Sequence, residues 1–294
     1  MRAYLLEICK ELEFPQEAAD EMCAAWQKID GCVEAAEIFD HYIAEYEKDC
    51  HLDWKELLAQ TDRAAEAAGV HKYTAELLIF LCLTKQLKVY YEAAEIDEKI
   101  WHDSCMDLHW KLMECKKVYG IWGSFVAFWF PGFFILDRFA LGRLQFELIN
   151  FPAGYEEAGR KRPEGMTKAI NVHIPSCGKL TREDCEASYN KAAEFFGDAF
   201  AGEQVAFRCG SWLLFEQHPT FLGEKSGIVQ FMRRYDVFRK GESNSDLWRI
   251  FNKEYDGTPD MLPENTQLQR VYKNWLKAGN SAGYGEGIFL YQKR

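Results

Sequence analysis

The stretch Val172-His173-Ile174-Pro175-Ser176-Cys177-Gly178-Lys179-Leu180 ends an apolar-polar alternation on a histidine, just before a proline and a loop with one glycine. Ile170, Val172 and Ile174 fall on one side of the alternation and Asn171 and His173 on the other, as along a strand. Imidazole has the unperturbed pKa, about 6.5, best matched to taking a proton near neutral pH. Upstream, residues 141–149 alternate in the same way, with Leu144, Phe146 and Leu148 on one face and Arg143, Gln145 and Glu147 on the other. Two cysteines compete for a covalent role, Cys177 in the loop and Cys209 in a later strand. Either would need to be a thiolate beside a base, whereas a buried free cysteine ordinarily serves as a small hydrophobe. His102, Cys105 and His109 share a face of a helical segment at i, i+3 and i+7. Strung over ~10 Å at a rise of 1.5 Å per residue, they do not converge on one ion, and no metal is expected.

The elements that carry these residues fall in two parts. Up to about Gly120, apolar residues recur at helical spacing in five or six segments separated by Pro15, Asp30-Gly31, residues 51–53, Gly69 and Asp97. The segment 74–92 is apolar nearly all round, as expected of the central helix of a bundle. Beyond Gly120 the period changes. Residues 124–135 read as two short apolar strands around Pro131-Gly132, with a buried helix as the alternative that an apolar run leaves open. Strands follow at 141–149 and 169–174, then a helix at 181–200 whose Thr181 and Asp184 resemble a capping box with Leu180 as staple. A strand at 205–214, a helix at 226–235, a strand at 236–239, helical segments within 245–278 and a strand at 287–292 complete a mixed α/β sheet.

Composition bounds the function. The 294 residues are 48% hydrophobic and 15% aromatic, enough for two cored domains. Ten scattered cysteines without a Cys-x-x-Cys pair or a secretory leader imply a reducing cytoplasm. No apolar run approaches the ~20 residues that span a bilayer, so no membrane partner is expected. Residues 1–120 hold 25 acidic against 13 basic side chains and residues 121–294 hold 21 against 22. The acidity of the first part argues against a nucleic-acid partner, since phosphate binding needs clustered Lys and Arg.

The segments Leu141-Gly142-Arg143-Leu144-Gln145-Phe146-Glu147, Val172-His173-Ile174-Pro175 and Cys209-Gly210-Ser211-Trp212-Leu213-Leu214, behind helices that end near Tyr119-Gly120-Ile121-Trp122-Gly123, resemble a bacterial N-acyltransferase family. Its members have an all-helical N-terminal domain and a GNAT-like C-terminal domain, which sets the expected α+β fold and the expected domains, 1–120 and 121–294. The resemblance implies acetyl-CoA or another acyl-CoA as co-substrate and a small-molecule or peptide amine as acceptor. In that superfamily acyl-CoA lies where the fourth and fifth strands splay apart, with its pyrophosphate on the N-terminus of the helix between them. Those elements correspond here to residues 169–174, 205–214 and the helix from Thr181. Backbone groups of Val172, Ile174, Ser176, Cys177 and Gly178, together with Lys179, Thr181 and Arg182, are then the expected cofactor contacts. The orphan N–H groups and positive dipole of a helix start favour an anion there. The superfamily's phosphate signature carries two small residues where Ser176-Cys177-Gly178-Lys179-Leu180-Thr181 has one glycine, so a plain capped helix is the competing reading.

If strands 141–149 and 169–174 are neighbours, as in the superfamily, one sheet face presents Arg143, Gln145, Glu147, Asn171 and His173 together. A half-solvated sheet would alternate identically. What favours a site is the concentration of carboxylate, imidazole and guanidinium beside a helix N-terminus. His173 or Glu147 would then be the general base for direct attack of an amine on the thioester. Ser211 is a proton-donor candidate, while Arg143, Gln145, Asn171 and Trp212 would face the acceptor, with Trp212 equally suited to a core. Two other functions remain open, a non-catalytic acyl-CoA or small-molecule sensor and an interaction protein built on the acidic helices.

Overall fold

The computed structural model describes residues 1–293, and in its first part the helix ends coincide with the punctuation of the sequence. Six helices follow one another, α1 (Arg2–Glu11), α2 (Gln16–Asp30), α3 (Val33–Lys48), α4 (Trp54–Ala68), α5 (Lys72–Ala93) and α6 (Glu98–Tyr119). Asp53 and Asp97 cap α4 and α6 by accepting from Glu56 N and Lys99 N. Gly69 and Gly120 close the same helices at φ of 62° and 74°, the left-handed conformation that glycine adopts without a Cβ penalty. α5 is buried on every side from Leu77 to Thr84, which makes it the central helix of the bundle.

The helical unit continues past Gly120. Ser124 N donates to Tyr73 O (2.9 Å) and Thr74 Oγ1 to Trp122 O (2.8 Å). Residues 124–135 do not form the two strands that their apolar run suggested. They make a 3₁₀ turn (Ala127–Trp129) and a short helix α7 (Pro131–Phe134), with Pro131 at the first helical position, where its missing N–H is not needed. Phe130 and Phe134 pack against Phe80 of α5 at ring centroid distances of 5.0 and 4.9 Å, and burial of these rings decides the conformation. The chain divides into compact units between Phe139 and Ala140, not at 120.

The remaining elements are β1 (Arg138–Leu141), β2 (Leu144–Asn150), α8 (Gly154–Glu157), β3 (Lys168–His173), α9 (Arg182–Phe195), β4 (Gln204–Ser211), α10 (His218–Leu222), α11 (Gly227–Met232), β5 (Asp236–Glu242), α12 (Leu247–Phe251), α13 (Gln267–Lys277) and β6 (Gly283–Gln292). The strands form one mixed sheet in the order β1-β2-β3-β4-β6-β5. Strand pairs β2–β3, β4–β6 and β5–β6 are antiparallel and β3–β4 is parallel, joined by α9 as crossover. The single strand expected over 141–149 is a hairpin instead. Gly142, at φ 86°, turns the chain between β1 and β2 and takes Arg143 out of the alternation. The strand expected at 205–214 ends at Ser211 and gives way to a 3₁₀ turn, Trp212–Leu214.

One sheet face packs on α9. Tyr189 of that helix meets Phe146, Phe207 and Phe289 at centroid distances of 6.2, 4.9 and 4.9 Å. On the opposite face Phe151, Ala169, Ala206 and Ile288 form a small apolar cluster with Tyr155 and Phe238. That cluster covers one end of the face, and polar side chains occupy the other. Gly285 of β6 allows the 3₁₀ turn to lie directly on the sheet, since a Cβ there would stand 2.3 Å from Leu214 O. No described helix is long and apolar enough to cross a membrane.

Candidate active site

Antiparallel pairing of β2 with β3 sets Gln145 opposite His173 and Glu147 opposite Asn171. Side chains of a pleated pair project to the same face at these positions, so the alternation seen in the sequence becomes a patch. His173 Nε2 lies 2.9 Å from Glu147 Oε1, and Asn171 Nδ2 donates to the same oxygen at 2.7 Å. Asn171 Nδ2 also lies 3.1 Å from Nε2. With Glu147 ionised, Nε2 carries the hydrogen toward the carboxylate and Nδ1 is the basic nitrogen. Both side chains are about one-fifth exposed, enough for a substrate to reach them and little enough for the pair to be partly desolvated. The face continues through Arg208 of β4, whose Nη1 donates to Asn171 Oδ1 (2.9 Å), to Glu286 of β6 and Arg239 of β5.

The backbone beside this patch opens. β3 and β4 are registered at only two positions, Ile170 with Phe207 and Asn171 with Arg208. β3 runs two residues further, to His173, and β4 three further, to Ser211, while β4 stays paired with β6 over its whole length. Val172, His173 and Ile174 therefore present their edge toward β4 beyond the last ladder pair, next to the imidazole.

Residues 175–181 lead from that edge into α9. Gly178 takes φ 106°, and Thr181 caps the helix by accepting from Asp184 N at 3.1 Å. The capping pair read from the sequence is present in part: Asp184 Oδ2 accepts from the Thr181 hydroxyl where a full capping box would have it accept from the Thr181 backbone N–H. Arg143 lies in the hairpin turn and clamps this loop, its guanidinium donating to the carbonyls of Pro175 (3.0 Å), Gly178 (2.9 Å) and Lys179 (3.0 Å). It supports the loop instead of standing in line with Gln145 and Glu147. Next to the first turns of α9 lies a cavity of about 420 Å³, lined by Thr181, Arg182, Cys185, Gln230, Phe231 and Arg234 among others.

Other expected residues are placed apart. Ser211 Oγ accepts from Leu213 N (3.2 Å) and caps the 3₁₀ turn, so its role is structural there. Trp212, half-buried, packs edge-on to Tyr272 and His218 against a cluster with Leu247, Ile250 and Phe251. Cys209 is fully buried and its thiol is pushed up to about 12 by burial, which disfavours a thiolate nucleophile. Cys177 Sγ lies against Arg143 O. His102 and His109 bond the carbonyls of Glu11 and Leu12 at the end of α1, which accounts for their shared helical face. Arg208, Glu286 and Arg239 were not singled out in the sequence. Arg208 stands at a polar step of an otherwise apolar strand, a signal that is visible in the sequence, whereas Glu286 sits among glycines and gives none.

Comparison with known proteins agrees with this architecture. Residues 139–289 match the family model of the GNAT-like C-terminal domain, and residues 3–136 match that of the N-acyltransferase N-terminal domain. No curated protein matches in sequence. Among solved structures, an acyltransferase in complex with decanoyl-CoA and teicoplanin superposes with a TM-score of 0.71 at 20% identity, over 97% of this chain and 86% of that one. An acyltransferase mutant in complex with octanoyl-CoA gives 0.74 at 20% identity, over 96% and 86%. At that identity the likeness establishes a shared fold.

Proposed function

The chain belongs to the family that joins an N-acyltransferase N-terminal domain to a GNAT-like C-terminal domain, and from that membership we propose that it transfers an acyl group from acyl-CoA to the amine of a small-molecule acceptor. The observation that carries this reading is the placement of the His173–Glu147 pair at the mouth of the gap between β3 and β4.

Acyl transfer to an amine needs three provisions. The nucleophile must be neutral, a base must take its proton as the tetrahedral adduct forms, and donors must meet the charge that develops on the thioester oxygen. His173 Nδ1 supplies the base, with the carboxylate of Glu147 orienting the ring and favouring the imidazolium that forms. Backbone N–H groups at the edge of residues 172–174 supply the donors. The loop of residues 176–179 and the first turn of α9, with Lys179 and Arg182, receive the anionic part of CoA. The thiolate leaves as CoA, and direct attack requires no covalent enzyme intermediate.

The structural neighbours were solved with octanoyl-CoA and with decanoyl-CoA and teicoplanin, so those acyl-CoA species and teicoplanin are the first probes. A ligand at one hundred times its Kd stabilises a folded protein by ~2.7 kcal/mol, which a thermal melt detects. We expect acetyl-, octanoyl- or decanoyl-CoA to raise the melting temperature and free CoA thiol to appear when an amine panel is added. Stabilisation without thiol release across the panel would instead support the sensor reading, which the single glycine of the loop favours. An absence of stabilisation by every CoA species would defeat both.

A further inference from the structure

Arg208 reaches the imidazole-carboxylate pair through an intermediary and is itself held from the far side. Its Nη1 donates to Asn171 Oδ1 at 2.9 Å, and Nε and Nη2 donate to Glu286 Oε1 at 3.0 and 2.9 Å. Glu286 is buried and takes a second cation on its other oxygen, Arg239 Nη1 at 3.1 Å. Gly210 stands opposite Glu286 in the β4–β6 register and leaves space for the guanidinium, because a Cβ there would fall 2.9 Å from Nη2 and 3.1 Å from Cζ of Arg208. The side chain is thus fixed by two strands and accommodated by a third position that has no side chain.

The consequence concerns a carboxamide. The two ends of an asparagine side chain are similar in size and opposite in hydrogen-bonding sense, so its neighbours decide which way it faces. With Arg208 donating to Oδ1, Nδ2 must face Glu147. The reverse orientation would set N–H groups against the guanidinium and a carbonyl oxygen against the carboxylate, two repulsive contacts in place of two charge-assisted bonds. We propose that Arg208, braced by Glu286 and given room by Gly210, is a positioning residue that locks Asn171 so that its amide holds Glu147 against His173. This rests on the acyltransferase reading of the site for its effect on rate, but not for its effect on the imidazole. Among the groups that face His173 are Glu147 and Gln145 from β2, Asn171 from its own strand and, behind Asn171, Arg208 from β4.

Two readouts test it, the titration of His173 followed by NMR of imidazole-labelled protein and the pH dependence of kcat/KM. Without Arg208 the Asn171 amide no longer holds Glu147 against the ring, so Arg208→Met should loosen proton binding by His173 about tenfold and move the acid limb of kcat/KM toward lower pH, whereas loss of the cation's charge alone would tighten it. Turnover at neutral pH should fall ~10-fold, as expected when a base is misoriented but present. Arg208→Lys, which keeps the charge and one donor, should recover part of both changes. Gly210→Ala pushes the guanidinium off its seat without deleting it and should shift the titration in the same direction, so the proposal stays testable if Arg208→Met fails to fold. An unchanged or tightened proton binding by His173 in the folded variants overturns the positioning role, even if acyl transfer is confirmed. A wild-type protein that acylates no amine overturns the proposed reaction, while the NMR titration still decides the role of Arg208.

Discussion

His173 and Glu147 are diagonal, not directly opposed, across the β2–β3 pair, and the diagonal brings Nε2 to 2.9 Å from Oε1. Diagonal neighbours lie ~7–8 Å apart, a span that an imidazole and a glutamate arm bridge together. One diagonal step gives the glutamate its reach and leaves the other ring nitrogen on the far side from it. That geometry separates the roles of the two residues in a way that substitutions can read. His173→Gln should lower kcat ~10²-fold while leaving acyl-CoA affinity near wild type, because the cofactor is proposed to bind through the loop and strand edge. Glu147→Gln removes the charge that favours the imidazolium and should move the acid limb of kcat/KM to lower pH. If the limb disappears with Glu147→Gln and survives His173→Gln, the carboxylate is the base. Wild-type rates and profiles in both variants would show that the patch is only a solvated sheet face.

Arg143 makes a different prediction, since its three acceptors are all carbonyls of the loop ahead of α9. A charged donor bonded to a carbonyl contributes about 1.5–3 kcal/mol where it is buried and less where it is exposed. Arg143→Met should therefore loosen the loop first. We expect faster amide exchange at residues 176–180 and acyl-CoA affinity weakened ~10-fold, with kcat at saturating acyl-CoA changed much less. A loss confined to kcat would return Arg143 to the acceptor side of the site.

How far the sequence disclosed this site depends on which interactions fix each part. The polar face of Gln145, Glu147, Asn171 and His173 was legible because strand alternation is local and two neighbouring strands had only to be paired. The ends of α4 and α6 were legible for the same reason, as Asp53, Gly69, Asp97 and Gly120 act within their own turns. Residues 124–135 were not, because an apolar run of that length carries no period, and packing of Phe130 and Phe134 on a helix some fifty residues earlier decides its conformation. Arg143 was misplaced by a single glycine, since Gly142 breaks the alternation exactly where a continuous strand would have kept the arginine in line. The Arg208–Glu286 pair joins residues 78 apart in sequence and could be seen only once β6 was placed beside β4.

The helical unit carries its own titration. Glu76 of α5 is pushed up to about 8, chiefly by burial and then by the charge of Asp62. A carboxyl whose folded pKa exceeds its unfolded value of about 4.3 contributes stability that is fully present below that value and is lost as pH rises toward 8. Glu76→Gln stays neutral and escapes this loss. Urea midpoints should place the variant above wild type at pH 8, with the gap shrinking as the pH is lowered to 5. A gap independent of pH would mean that the substitution acts through packing alone.

His218 titrates with the opposite sign. Its side chain is fully buried beside Trp212, Phe215 and Phe221 with Nε2 on the Tyr272 hydroxyl, and burial lowers its pKa to about 4. The unfolded chain binds this proton near 6.5, so above that pH both states are neutral and no penalty arises. Between about 6.5 and 4 the unfolded state alone is protonated, and stability should fall with a slope approaching ~1.4 kcal/mol per pH unit. Below about 4 the full loss has been incurred. Other groups add slopes of their own, so the measurement is the difference between wild type and His218→Gln, whose amide can still meet Tyr272. At pH 7 the variant should be the less stable, because the imidazole fills its aromatic site better than the amide does. On acidification to pH 4.5 the wild type should lose more than the variant, narrowing or reversing the order. Parallel curves for the two proteins over that range would show that His218 is protonated in the folded state as readily as in the unfolded one, and that the apolar cluster around it does not exclude the charge.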